Sequence, residues 1–429
     1  MLSGRCPALK NYIFKNTPFS KAEHNLSVFF AWLVLSVTVG IVIGLVGTVF
    51  GLVLQWVNTM RGEYPWLLLC LPAAGVLIVR IYMLGGTKTS GGTNLIIRSV
   101  RSEADSPFTL APLIFISTAL THLCGGSAGR EGAALQLGGS ISGAIGRKLH
   151  LEPLRQSEIV MCGMAAAFAA LFGTPMTAAI FALELSAVGV MRYGALIPCT
   201  LSAVTASMIS SYFGIKAEVF PLSPIDLDPL NSLRVVLLGA LCAVVAIIFC
   251  VVMHKVEHMA EHYLPNPYLR AVFGGIMIIA MTYILGTRNY LGAGMNIIEY
   301  AIVEGEAGYI DFIIKLLFTA VTLGCGFKGG EIVPAFFVGA TFGCVVGPFI
   351  GIDAGFAAAI GLICVFCAVT NCPIASLVLS FEMFSFTSPA LFMLAVGTSY
   401  ALSGYYSLYS SQEFKFDKMS PAPVEEHGH

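Results

Sequence analysis

A chain of 429 residues that is 57% hydrophobic and only 11% charged, with a mean hydropathy of +0.83, is not a soluble globular domain, in which about a quarter of residues carry charge. A formal net charge of −1 at pH 7 leaves no electrostatic footprint for nucleic acid. The solvent for this composition is lipid.

Arg5, Lys10, Lys15 and Lys21 precede an uncharged run from Asn25 to Met60. That run is far longer than a signal-peptide core and has no small-residue cleavage pattern, so residues 1–26 read as a retained cytoplasmic segment. As one helix the run exceeds the ~30 Å hydrocarbon thickness, which predicts a tilted or broken span. Residues 80–106 carry Arg80, Lys88, Arg98 and Arg101, which places that loop on the cytoplasmic side. Apolar runs are predicted at about 64–79, 107–124, 158–183, 191–213, 235–253, 271–287, 311–326, 333–351, 354–369 and 388–409. Several are too short or too rich in glycine to span alone. Broken backbone is tolerated in a membrane only where protein buries it or where it lines a cavity, so these runs point to an internal solute site. The 12 cysteines lie scattered through apolar segments and read as small buried hydrophobes.

The Pro-rich polar stretch from Gly214 to Asn231 divides the chain into a first transmembrane repeat, 27–213, a linker, 214–232, and a second repeat, 233–412. A polar tail, 413–429, is too short for a domain. Three motif pairs recur in the same order on either side of the linker. Gly92-Thr93-Asn94-Leu95-Ile96 matches Gly294-Met295-Asn296-Ile297-Ile298. Gly129, Glu131, Gly139 and Gly143 match Gly329, Glu331, Gly339 and Gly343. Pro175 and Glu184 match Pro373 and Glu382. Three pairs at a nearly constant offset indicate duplication, and transporters place their ion sites at such repeat interfaces.

The run from Gly125 to Gln136 sets small residues before Glu131 and a helix-like run after it. Such a helix start points backbone N–H groups and a partial positive charge at an anion. An ionised Glu131 can fill that position and a protonated one can vacate it, which makes it a candidate gate and proton carrier. The bland alternative is a helix-terminal acid paired with Arg130. The run from Gly324 to Pro334 repeats the design, with Pro334 fitted to a first helical turn, the amides of Ile332 and Val333 as candidate anion ligands, and Glu331 as a second proton-handling acid. Ser90-Gly91-Gly92-Thr93-Asn94 is a third glycine-rich helix start.

The GREG sequence from Gly129 to Gly132, together with Gly329-Gly330-Glu331-Ile332-Val333-Pro334, resembles the signatures of the CLC family of anion transporters, and the similarity covers about 27–412. The resemblance implies an all-α integral membrane fold of two inverted repeats whose broken helices meet at a central anion site, with no cofactor. It also implies a homodimer in a lipid bilayer with one pathway per subunit. Gly91 stands where chloride-transporting relatives carry a serine, Leu185 replaces a second inner acid, and Glu331 stands where exchangers have an apolar residue. With the GGTNL and GGEIVP sequences, this combination is similar to the bacterial fluoride-transporting branch. The resemblance thus implies a fluoride/proton antiporter, not an enzyme, in the bacterial inner membrane. Glu131 and Glu331 would handle gating and protons, and Gly91, Gly92, Thr93, Asn94, Arg130, Gly132, Ile332, Val333 and Tyr409 would line the anion site. Tyr400, Tyr405 and Tyr406 are rival matches for the family's anion-contacting tyrosine. A chloride/proton exchanger or passive anion channel of the same fold is the alternative. A distant one is a membrane metalloprotease using the H-x-x-E-H sequence from His254 to His258.

Overall fold

The computed structural model describes residues 18–86, 91–420 and 422–428. Within them the chain forms sixteen α-helices in two matching sets of eight. The first set comprises α1 (Pro18–Glu63), α2 (Leu71–Leu84), α3 (Gly92–Val100), α4 (Leu110–Leu123), α5 (Glu131–Lys148), α6 (Pro153–Phe172), α7 (Pro175–Glu184) and α8 (Leu196–Tyr212). The second comprises α9 (Pro229–Tyr263), α10 (Pro267–Leu285), α11 (Met295–Val303), α12 (Asp311–Gly324), α13 (Ile332–Val346), α14 (Ala354–Thr370), α15 (Pro373–Phe384) and α16 (Pro389–Leu402). Helices α3 and α11 are both 9 residues long, and α4 and α12 are both 14. Helices α4 and α12 match the apolar runs at 107–124 and 311–326, whereas α3 and α11 lie outside every predicted run, and the single run at 158–183 divides between α6 and α7.

The uncharged amino-terminal run resolves as part of one unbroken helix. Helix α1 is continuous over 46 residues, about 69 Å at ~1.5 Å per residue, more than twice the hydrocarbon thickness.

Glycines set how closely the inner helices approach. A Cβ on Gly138 of α5 would lie 2.1 Å from the Gly163 carbonyl oxygen of α6, and one on Gly339 of α13 would lie 2.3 Å from the Gly361 carbonyl oxygen of α14. Only glycine permits such backbone contact, the small-residue packing expected where lipid supplies no hydrophobic drive between helices. The result is a pair of almost wholly buried helices, α6 and α14, at the centre of each half.

The recurrent Pro…Glu motif has a structural cause. Pro175 and Pro373 open α7 and α15 without an N–H to satisfy. The Glu382 carboxylate accepts from Met176 N (2.9 Å), Thr177 N (2.8 Å) and Thr177 Oγ1 (2.6 Å). Reciprocally, the Glu184 carboxylate accepts from Ile374 N (3.1 Å) and Ala375 N (2.9 Å). Each half therefore caps the helix of the other, and the two helices run antiparallel, as an inverted repeat requires.

Beyond the helices, residues 413–427 add what the sequence reading left as tail. Strands β1 (Ala187–Val188), β2 (Glu413–Phe416) and β3 (Pro423–His427) form a sheet in the order β1-β2-β3, parallel then antiparallel. Arg101 lies 3.4 Å from Glu413, tying this sheet to the loop after α3.

Candidate functional site

The two halves touch backbone to backbone at their matching glycine motifs. Gly129 N donates to Gly330 O at 2.7 Å and Gly330 N donates to Gly129 O at 2.8 Å, an isolated antiparallel bridge. The bridge sits where α5 and α13 begin, so the N-termini of both helices converge on it. Helix geometry leaves first-turn N–H groups without an intrahelical acceptor, and those of Gly132, Ile332 and Val333 lie in this wholly buried region.

Glu131 is fully buried and folds back over its own helix start. Its Oε2 accepts from Arg130 N at 2.9 Å, and its Oε1 lies 3.3 Å from Arg130 Nε. A Cβ on Gly129 would stand only 2.6 Å from that Oε2, so glycine is needed for the carboxylate to rest against the bridge. Arg130 itself turns away: its Nη2 reaches Glu218 Oε1 of the linker at 3.0 Å and the Leu171 carbonyl at 3.4 Å.

Beside the bridge, lined by Gly329 and Glu331 but not by Glu131, lies a cavity of about 180 Å³. Gly91, Gly92, Thr93, Asn94, Glu331 and Tyr409 line it, together with Gln136, His254, Glu257 and Lys328. A Cβ on Gly132 would lie 3.3 Å from Glu331 Oε2 and 3.4 Å from Thr93 Oγ1, so Gly132 borders the same space. Among the described residues, the buried side-chain atoms without a hydrogen-bond partner include Glu331 Oε2, Tyr409 Oη and Tyr82 Oη, and all three residues line this cavity. Unpartnered buried polar atoms gathered around one space mark a place for water or an ion. The Asn94 side chain is oriented by Ser411 N, which donates to its Oδ1 at 3.0 Å and leaves the amide Nδ2 as the donor end.

The structure thus brings Gly91, Gly92, Thr93, Asn94, Gly132, Glu331 and Tyr409 together, whereas Glu131 is outside the cavity lining and Arg130 reaches Glu218 of the linker. Ile332 and Val333 sit at the α13 start but do not line the cavity. Of the rival tyrosines, Tyr400, Tyr405 and Tyr406 lie outside its lining, and Tyr405 Oη is 2.6 Å from Asp417 Oδ2. Ser90 falls outside the described residues.

The H-x-x-E-H sequence does not assemble a metal site. His254 Nε2 lies 3.3 Å from the Leu408 carbonyl and steadies the segment bearing Tyr409, while His258 stacks on His262 at 6.4 Å. Among the described residues no three His, Cys, Asp or Glu side chains gather as metal ligands.

Sequence reasoning missed Glu257, Tyr82 and Gln136 at the cavity. It also missed Lys315, a fully buried lysine whose Nζ donates to the carbonyls of Tyr290 (3.1 Å) and Gly292 (2.6 Å). None belongs to a recurring motif, and only an intramembrane charge within 311–326 could have flagged Lys315.

An internally duplicated helical membrane protein, with half-helix N-termini and acids converging at the repeat interface, is an ion-transport fold. The profile of the family described as voltage gated chloride channel matches residues 73–404, and the chain belongs to that family. It is 32% identical over 403 residues to a chloride/fluoride channel protein of Pseudomonas syringae pv. tomato, covering 92% of this chain and 89% of the relative. An H(+)/Cl(-) exchange transporter of Yersinia pestis is 25% identical over 381 residues, covering 82% and 80%. Among solved structures, a CLC-type fluoride/proton antiporter aligns with a TM-score of 0.87 at 32% identity, over 90% of this chain and 98% of that one. A slow cyanobacterial Cl-/H+ antiporter shares the fold at 18% identity, with a TM-score of 0.74 over 87% and 94%. The multi-pass helical architecture with inverted repeats is therefore that of this family.

Proposed function

We propose that this protein is a fluoride/proton antiporter that exports fluoride across a bacterial inner membrane as a homodimer, with Glu131 as gate and proton carrier and Glu331 as the inner proton-coupling acid. The observation that carries the reading is the placement of two carboxylates beside one backbone bridge, Glu331 lining the cavity and Glu131 outside its lining. Glu131 lies against Gly129 and closes the path, while Glu331 faces the cavity with an unpartnered oxygen. An ionised Glu131 occupies the helix N-terminal position that an anion would take. Protonation removes its reason to stay, and the anion then competes for the same amides.

Fluoride is small and strongly hydrated, so its site must supply close donors that replace water. The cavity offers the Asn94 amide, the Tyr409 hydroxyl and bare backbone at Gly91 and Gly92, with Gly132 at its border. No serine hydroxyl stands at Gly91, and Leu185 offers no inner acid. Glu331 fills that need from the second repeat. Positive charge over 80–106, with Arg80 on α2, Arg98 on α3 and Arg101 just after it, supports a cytoplasmic face for the cavity side.

Purified protein in liposomes, with fluoride and pH recorded together, tests the reading. An imposed fluoride gradient is expected to drive protons uphill, and a chloride gradient of the same size to drive far fewer. Equal fluxes of the two anions would sink the fluoride assignment, and anion flux without proton movement would mean a channel.

A further inference from the structure

Leu185 leaves open how a proton leaves Glu331 for the inner aqueous phase, and the answer lies on α9. A second cavity, of about 380 Å³, shares Tyr82, Glu257, Leu323, Gly324 and Lys328 with the first. Beyond the shared wall it is lined by Glu261 and Arg270, which pair at 3.4 Å with Glu261 exposed at the protein surface. Glu257 and Glu261 are four residues apart on α9, so they stand one turn apart on one face. The two adjoining cavities are therefore lined by the unpartnered oxygen of Glu331 in the first, the unpartnered hydroxyl of Tyr82 at the shared wall, and the exposed acids Glu257, also at that wall, and Glu261 in the second.

From this we infer that Glu257 is the inner proton relay of the transporter, taking the proton from Glu331 through cavity water and passing it to Glu261 and bulk solvent. The inference rests on the antiporter reading above and names the acid that reading lacks. The transfer balances: Glu331 gives up its carboxyl proton and becomes a carboxylate, Glu257 is protonated and then releases that proton to water at Glu261, and the next proton carried by Glu131 reloads Glu331. Water alone is a poor carrier here, because Lys328 lines both cavities and its positive charge repels a hydronium. The Glu257 carboxylate offsets that charge and supplies an acceptor. The other titratable groups facing this route are His254 and Tyr409 in the inner cavity and Arg270 in the outer one. The acid of the H-x-x-E-H sequence is thereby placed in proton transfer rather than metal chemistry.

The test uses the full chain in proteoliposomes, comparing Glu257→Gln, Glu257→Asp and Glu261→Gln with wild type under a fluoride gradient. Glu257→Gln is expected to slow fluoride-driven proton movement on the order of tenfold or more. The defect should narrow as pH is lowered on both sides, when bulk protons reach Glu331 directly, and Glu257→Asp should recover most of the rate. Glu261→Gln, whose acid is paired with Arg270 and does not line the inner cavity, should cost less. Wild-type coupling in Glu257→Gln at every pH overturns the relay, as does an equal, pH-independent defect in the Gln and Asp variants, which would mark a structural role. Should the Gln variant fail to fold, the Asp variant and the pH profile of Glu257→Ala decide between the same outcomes. Wild-type vesicles that move fluoride without protons would instead overturn the antiporter reading itself, and the relay with it.

Discussion

Gly330→Ala is the sharpest single test of the bridge that joins the two acids. The added methyl would lie 2.6 Å from Gly132 N, 3.1 Å from Glu131 N and 3.3 Å from Gly132 Cα, all main-chain atoms of the first turn of α5. Backbone cannot rotate away as a flexible side chain can, so the strands must part by about 1 Å to reach ordinary contact at ~3.5 Å. That separation disrupts the paired hydrogen bonds of 2.7 and 2.8 Å between Gly129 and Gly330. At ~0.5–1.5 kcal/mol each, with ~1–3 kcal/mol for overpacking, the change costs about 2–6 kcal/mol. It also shifts Glu131 off its seat, and a misplacement of about 1 Å can cost on the order of a hundredfold in rate. Heat denaturation in detergent and fluoride flux in liposomes should therefore both fall, the flux more than tenfold. Gly62→Ala is the matched control: no atom lies within 4 Å of its Cβ position near the end of α1, and it should leave both readings near wild type. Wild-type melting and flux in Gly330→Ala would show that the bridge does not hold the gate.

Three further substitutions probe separate parts of the design. Glu131→Gln removes the ionisable gate, and proton-coupled fluoride exchange should be lost, whether flux stops or becomes passive; wild-type coupling in liposomes would refute the assignment. Glu331→Gln keeps the shape of the cavity wall but cannot exchange a proton, so a fluoride gradient should no longer drive protons uphill, and uphill movement at the wild-type rate would reduce Glu331 to a helix-terminal acid. Glu382→Ala strips three accepted hydrogen bonds from the start of α7, and thermal melting should report a loss of about 1.5–3 kcal/mol. An unchanged melting temperature would mean that the reciprocal caps add nothing to joining the halves.

Much of the architecture was legible because lipid imposes strong rules on sequence. The apolar runs located the long spans but not the short helices α3, α11 and α15, and they merged α6 with α7; the repeated motifs exposed the duplication that sets eight helices against eight. The acids at Glu131 and Glu331 stood out because charge is rare in this composition. The continuity of α1 was not legible, since length alone permits either tilt or breakage. Nor was the small sheet, because the two residues of β1 carry no periodicity and pair with a strand far along the chain.

What the sequence determined by itself, then, was local or periodic: burial patterns, helix starts and the internal repeat. Which of the two acids lines the cavity was decided by tertiary structure alone, because that follows from contacts between residues some 200 positions apart in the chain. The same holds for the choice of Tyr409 among neighbouring tyrosines and for the meeting of α9 with the cavity. Glu184 and Glu382 show the division most plainly. Their recurrence was visible in the sequence, but its reason is that each carboxylate satisfies N–H groups opened by a proline in the other half, a partnership that exists only when the two halves pack.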